Sequence, residues 1–213
     1  MASWVLAAER GYVAAAVGTS GAPPAEAGSA GGAEPALADR SPAQRAAHAG
    51  AAAGAVASRY LAVGTPRSFG IVIDRAGDAE AAALALVAHR TWFAPRDVRC
   101  ASADGSAAAL AAATGGRAVS IDEALACDIV HLHGAATPLT PAKLRRGTHV
   151  NVVHHAAIDP ELARLATLVR EAELPALAAG LVDGRQLDEI TIFAIDGAPI
   201  AAAALTSSTG WPG

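Results

Sequence analysis

The chain has 213 residues, of which 53% are hydrophobic, 17% charged and 4% aromatic, and 16 Lys and Arg against 20 Asp and Glu leave a net charge of −4. That length suits one domain, or one domain with an appendage. No basic block offers a face to a nucleic-acid duplex, and no apolar run reaches the roughly 18–20 residues that span a bilayer, so neither nucleic acid nor membrane is an expected partner.

Residues 2–17 read as a short amphipathic helix, with Val5, Ala8, Tyr12 and Ala15/Ala16 near helical spacing. Glu9 and Arg10 interrupt the apolar start and no cleavage site follows, so the expectation is a cytoplasmic protein rather than a secreted one. Residues 18–36 are dense in Gly, Pro, Ser and Ala and read as a linker or loop without a core of its own. Ser41 and Pro42 then open a second helix, as N-cap and first helical residue, running to about Ala62.

From Phe69 the pattern changes. FGIVID (69–74) is a continuous apolar run of the kind buried on both faces of a sheet. A helix over 79–92, a strand over 97–102, a glycine-stopped helix over 106–116, a short strand at 117–120 and a short helix at 121–126 follow. Strands at 127–133 and 148–155, helices at 159–166 and 174–184, a last strand at 189–195 and a final helix at 197–209 complete the reading. Alternation at this spacing predicts an α/β fold with a doubly wound parallel sheet. The expected division is 1–40, helix plus linker, and 41–213, the α/β domain. Cys100 and Cys127 are too far apart for a zinc or redox motif and read as small buried thiols.

The segments LRRGTHVNVV (144–153), DPELARLA (159–166) and LAAGLVDGRQLDEITIFAIDGAPIAAAAL (177–205) resemble the ornithine cyclodeaminase/mu-crystallin family. The sequences AVASRYLAVGTPRSFGIVI (55–73) and VLAAERGYVAAAVGTSGAPP (5–24) are similar to that family's first Rossmann strand with its preceding helix and to its opening helix. The resemblance implies a Rossmann-like domain, NAD(P) as cofactor and amino or imino acids as substrates, with a second domain for substrate and dimerisation in intact members.

The departures fall on the chemistry. Residues 18–40 stand where the family has a long sheet-forming segment, so residues 1–40 read as the remnant of a substrate domain. Ala49 and Gly50 stand where an arginine opens the pre-Rossmann helix, with Arg45 one turn earlier, and Ala201 and Ala202 replace a polar pair. The loop that carries the family's acidic catalytic residue is shortened across HHAAIDPEL (154–162), where Asp159 reads as the start of the next helix.

A working phosphate loop needs glycines that let its backbone approach a pyrophosphate at a helix N-terminus. Here Gly70, Asp74, Arg75 and Gly77 are the candidate cofactor contacts, but Ile73 and Arg75 occupy the first two glycine positions and Asp74 and Asp78 bring negative charge. Ser102 and Asp104 stand where a ribose would be met, or form a turn and helix N-cap.

Five of the seven histidines fall between 131 and 155. In a doubly wound sheet, strands 69–74, 128–133 and 149–155 should be neighbours, and ligands bind beyond their carboxyl ends. His131, His133, His154 and His155 would then share a crevice with Asp74. His131, His133, His154 and Asp74 form a candidate site for a divalent transition metal, or the histidines a crevice for acid/base work, or they are hydrogen-bonded filling. His149 is read as structural, His48 and His89 as exposed on helices, and Lys143, Arg145 and Arg146 as an exposed helix end.

The leading expectation is a shortened relative of the family, a pseudoenzyme acting as a non-catalytic binding or accessory subunit in a homo- or hetero-oligomer or with another protein partner. The alternatives are an NAD(P)-dependent cyclodeaminase or ketimine reductase with an altered loop, and a crevice repurposed for a metal or for histidine chemistry.

Overall fold

The computed structural model describes residues 42–134, 138–153 and 158–195. The expected helices over 2–17 and 197–209, the linker, Ser41, His154 and His155 lie outside the described residues, as do the side chains of Arg45, His48 and Ala49.

In chain order the elements are α1 (Pro42–Leu61), β1 (Ser68–Ile73), a 3-10 turn (Ala76–Asp78), α2 (Ala79–Arg90), β2 (Asp97–Ser102), α3 (Ala107–Thr114), β3 (Arg117–Ala118), α4 (Ile121–Leu125), β4 (Ile129–His133), β5 (His149–Val153), α5 (Pro160–Leu165), β6 (Thr167–Arg170), α6 (Leu174–Ala178) and β7 (Thr191–Ile195). The seven strands form one sheet in the order β3-β2-β1-β4-β5-β7-β6, with every pair parallel. This is a Rossmann-like α/β sheet, wound outward in both directions from β1 and β4.

One sheet face carries Phe69, Ile71, Ile73, Ile129, Val153, Phe193 and Ile195 against α1 and α2. The other carries Val72, Val130, Leu132, Val150, Val152 and Ile192 against Leu125, Leu139 and Leu162. Strands buried on both faces need apolar residues at every position, which is why β1 reads as an unbroken run.

The alanines now have a structural use. Ala52, Ala53, Ala55 and Ala57 of α1 are buried, and small side chains let this helix lie close against the sheet. A Cβ on Gly50 would stand 3.3 Å from Ile195 Cγ2, and one on Gly54 would stand 3.2 Å from Asn151 Oδ1. Gly70 serves the same end on the opposite face. A Cβ there would come 2.1 Å from the Ala124 carbonyl oxygen, so α4 can sit on β1 only over a glycine.

Three sequence expectations need correction. β6 went unread because four residues give too little periodicity, and as an edge strand it pairs only with β7. The helix expected over 174–184 ends at Ala178, since Gly180 adopts φ +71° and the chain turns back until the Arg185 N–H reaches the Tyr60 carbonyl. The cluster at 143–146 needs correction only in part: Lys143 does end a 3-10 helix (Pro141–Lys143), but the exposed Arg145 and Arg146 lie beyond it, paired with Asp128 at 2.7 Å and with Asp188 at 3.1 Å.

Candidate functional site

Parallel strands deliver chemistry at their carboxyl ends, where the order reverses between β1 and β4. Asp74 follows β1 and donates its backbone N–H to the His133 carbonyl. Its carboxylate lies on Gly134, where a Cβ would fall 2.1 Å from Asp74 Oδ2. Gly134 also takes φ +98°, so only glycine suits this position on both counts. The switch point is therefore floored by a carboxylate.

His131 and His133 project from the same face of β4, as two residues of a strand must. Their Nε2 atoms are 2.9 Å apart, and both rings are buried. That distance is a hydrogen bond, so one Nε2 carries a proton and the other accepts it. His131 Nδ1 is buried with no hydrogen-bond partner. A bare lone pair there costs less than a stranded N–H, which makes His131 the donor. Burial, with His133 as the largest neighbouring charge, pushes the His131 pKa well down.

The described residues hold only part of the metal site expected from His131, His133, His154 and Asp74. The two imidazole nitrogens bond to each other, His154 lies outside the described residues, and no group of three or more His, Cys, Asp or Glu among the described residues is arranged to hold a metal.

The reading of His89 is corrected. Expected on an exposed helix face, it is fully buried under α1, and burial lowers its pKa to about 4. Its Nδ1 donates to the Ala85 carbonyl at 2.6 Å, which leaves Nε2 to accept. Ser58 Oγ lies 2.8 Å from that nitrogen, and Asn151 Nδ2 donates to Ser58 Oγ at 2.9 Å. Asn151 Oδ1 faces His149 Nε2 at 3.2 Å, and His149 Nδ1 faces Thr191 Oγ at 2.9 Å. Arg185 closes the chain by donating to Thr191 Oγ and to the Leu61 and Thr148 carbonyls. The reading of His149 as structural agrees with this chain. Sequence reasoning missed Ser58, Asn151 and Thr191, whose one signal was a polar residue inside an otherwise apolar run, and Arg185, which lies in the polar stretch 183–189 and gave no signal.

The phosphate-loop candidates separate. Gly70 lies three residues before the end of β1 and serves packing, which corrects its reading as a cofactor contact. Arg75 is exposed and faces Asp78 at 3.6 Å. Gly77 has open space around it, in the turn that enters α2. Ser102 ends β2 with its hydroxyl oxygen buried.

Asp104 is the connecting residue. Its Oδ2 accepts from the Ala76 N–H at 2.8 Å, and its Oδ1 accepts from the Ser106 N–H at 3.0 Å and from the Ser106 hydroxyl. These bonds, the Ser106 hydroxyl first, hold its pKa down to about 2. A pyrophosphate needs loop amides and the positive end of the following helix. Here Asp104 takes the Ala76 amide, and Asp78 and Glu80 already stand at the start of α2. The residues present do not fit a dinucleotide pyrophosphate.

Solved structures with this architecture bring the comparison to a family. A probable ornithine cyclodeaminase from Bordetella pertussis Tohama I superposes with TM-score 0.59 at 21% identity, over 78% of this chain and 68% of that one. The chain has the fold of an ornithine cyclodeaminase. An archaeal alanine dehydrogenase dimer with bound NAD superposes with TM-score 0.62 at 23% identity, over 77% of this chain and 62% of that one. A Δ1-pyrroline-2-carboxylate reductase from Thermococcus litoralis, in complex with NADH and L-proline, gives TM-score 0.56 at 20% identity, over 76% and 62%. The aligned part of this chain thus spans less than two thirds of the last two proteins. No protein-family model matches the sequence, and no curated protein matches it. Among the described residues, no helix is long and apolar enough to cross a membrane.

Proposed function

We propose that this chain is a pseudoenzyme: an ornithine cyclodeaminase-type Rossmann scaffold that acts by binding, as a non-catalytic or accessory subunit, without dinucleotide-dependent turnover. The observation that carries this reading is the Asp104 carboxylate on the Ala76 amide, with Asp74 at the switch point. The chemistry expected of the fold needs that loop open to phosphate. Residues 1–40 would be the remnant of a substrate domain. Assembly into an oligomer is supported by the description of one structural neighbour as a dimer. Two free, buried cysteines suit the cytoplasm.

The test is turnover by the purified full chain. L-alanine and L-proline are each offered with NAD+ and with NADP+, and reduced nicotinamide is followed by absorbance; L-ornithine is offered with the same cofactors and ammonia release is followed, because cyclodeamination returns the hydride and leaves no net reduced nicotinamide. No turnover is expected; cofactor-dependent turnover of any of the three defeats the reading. Light scattering on the same preparation reads the oligomeric state.

A second reading keeps a dinucleotide, and the fold shared with NAD-bound and NADH-bound neighbours favours it. It requires NADH to raise the melting temperature, because a ligand that binds only the folded state stabilises it by mass action.

A further inference from the structure

The phosphate loop contains the answer to what its crevice rejects. Residues 74–78 carry one cation, Arg75, and that cation faces Asp78 at 3.6 Å with its side chain 78% exposed. Asp78 precedes α2 and Glu80 lies in its first turn, so the helix N-terminus meets carboxylates of its own chain. Asp104 crosses from the loop after β2 to take the Ala76 N–H, and Ser106 holds it there with both its amide and its hydroxyl. One carboxylate thus makes with this loop the contact that a phosphate oxygen would make, and its charge opposes a second anion.

We propose that Asp104 is a built-in anion that excludes phosphorylated nucleotides from this crevice. The inference rests on the reading of the chain as inactive towards dinucleotides and names the residue responsible. Removing the carboxylate frees the Ala76 donor and reduces the loop's negative charge. The crevice of the variant then accepts the phosphate groups of a nucleotide.

Calorimetric titration of the full chain with ADP-ribose, and with adenosine as the phosphate-free control, tests this. The proteins are the wild type, Asp104→Ala and Asp104→Asn. The wild type should show no saturable ADP-ribose binding at millimolar ligand, and Asp104→Ala should bind roughly tenfold tighter or more, as expected for gaining a hydrogen bond to a charged group. Adenosine should behave alike with all three proteins. Asp104→Asn keeps an oxygen acceptor for Ser106 while losing the charge; it should show a smaller gain, and it carries the test if the alanine variant does not fold by circular dichroism.

An ADP-ribose isotherm unchanged by loss of the carboxylate overturns the proposal. An equal gain for adenosine does so too, since the exclusion would then not concern phosphate. A wild type that binds ADP-ribose more tightly than Asp104→Ala makes Asp104 a ligand contact instead. Failure of the broader reading is separate: it shows as amino-acid turnover by the wild type, whatever Asp104 does.

Discussion

Asn151 Nδ2 donates to Ser58 Oγ at 2.9 Å, joining the middle of the sheet to α1 across 93 positions of sequence. Both side chains are buried among apolar neighbours. The same hydroxyl lies 2.8 Å from both the Gly54 carbonyl and His89 Nε2, so its single proton serves one of the two at a time.

Truncating one member of such a chain strands its partners. Ser58→Ala should cost about 1–3 kcal/mol, the penalty for buried polar groups left unpaired. Asn151→Leu should cost as much or more, because it strands His149 Nε2 as well. Urea denaturation reads both. A double variant that is no worse than Asn151→Leu alone is the expected sign of coupling. Additive losses would show that the two side chains act independently.

Stability should depend on the buried histidines. Burial lowers His89 from 6.5 to about 4 and His149 from 6.5 to about 3, so both are neutral in the folded protein. Between the folded values and 6.5 the unfolded chain binds more protons. Their contribution is therefore complete above about pH 6.5 and is lost as pH falls towards 4. For His89 alone the full loss is about 3 kcal/mol, at 1.36 kcal/mol per unit. Urea midpoints measured from pH 7.5 down to pH 5 should fall steadily; a flat profile would contradict the burial of these rings.

The close contact of β1 with α4 sets a steric test. Gly70→Ala drives a methyl into the Ala124 carbonyl and should destabilise by about 1–3 kcal/mol or more, as overpacking does. Gly77→Ala meets nothing within 4 Å and should leave the melting temperature nearly unchanged. Equal effects of the two substitutions would mean that β1 and α4 are not in contact as described.

Both thiols should be silent in the native protein. Cys100 and Cys127 are fully buried, and burial raises the Cys127 pKa to about 11 and that of Cys100 above its ordinary value. A thiol-reactive chromogen at neutral pH should label neither until denaturant is added, and then both. Rapid labelling in buffer would falsify this placement of Cys127.

Much of the fold was legible in the sequence because burial on both faces leaves a plain mark. The runs at 69–74 and 148–155 read as central strands, of which the described residues form β1 (Ser68–Ile73) and β5 (His149–Val153), and the strand over 97–102 matches β2 residue for residue. That β1, β4 and β5 are neighbours followed from the alternation of strand and helix. Edges were harder. β6 spans four residues and pairs on one side, and so has no hydrophobic period to read.

The candidate site was legible only as a set of residue types. Composition and motif placed histidines and Asp74 near one crevice, and the spacing of His131 and His133 fixed a shared face. Whether two imidazoles on that face bind an ion or each other depends on ring rotation and on a distance of 2.9 Å, which packing sets. His89 shows the same limit. Its helix is largely alanine, with a weak apolar face, so nothing local says which side meets the sheet.

The sequence by itself determined that the chain folds as a parallel α/β domain, and that the segment after its first strand carries Ile73 and Arg75 at the first two glycine positions, with Asp74 and Asp78 beside them. The first follows from residue type and period, the second from the resemblance of the segment to a Rossmann loop. Only the tertiary structure decided that Asp104 meets Ala76, 28 positions away, and that Asn151 meets Ser58. Those pairings arise because parallel strands bring distant loops to one edge of the sheet, and a hydrogen bond forms only where donor and acceptor are delivered together.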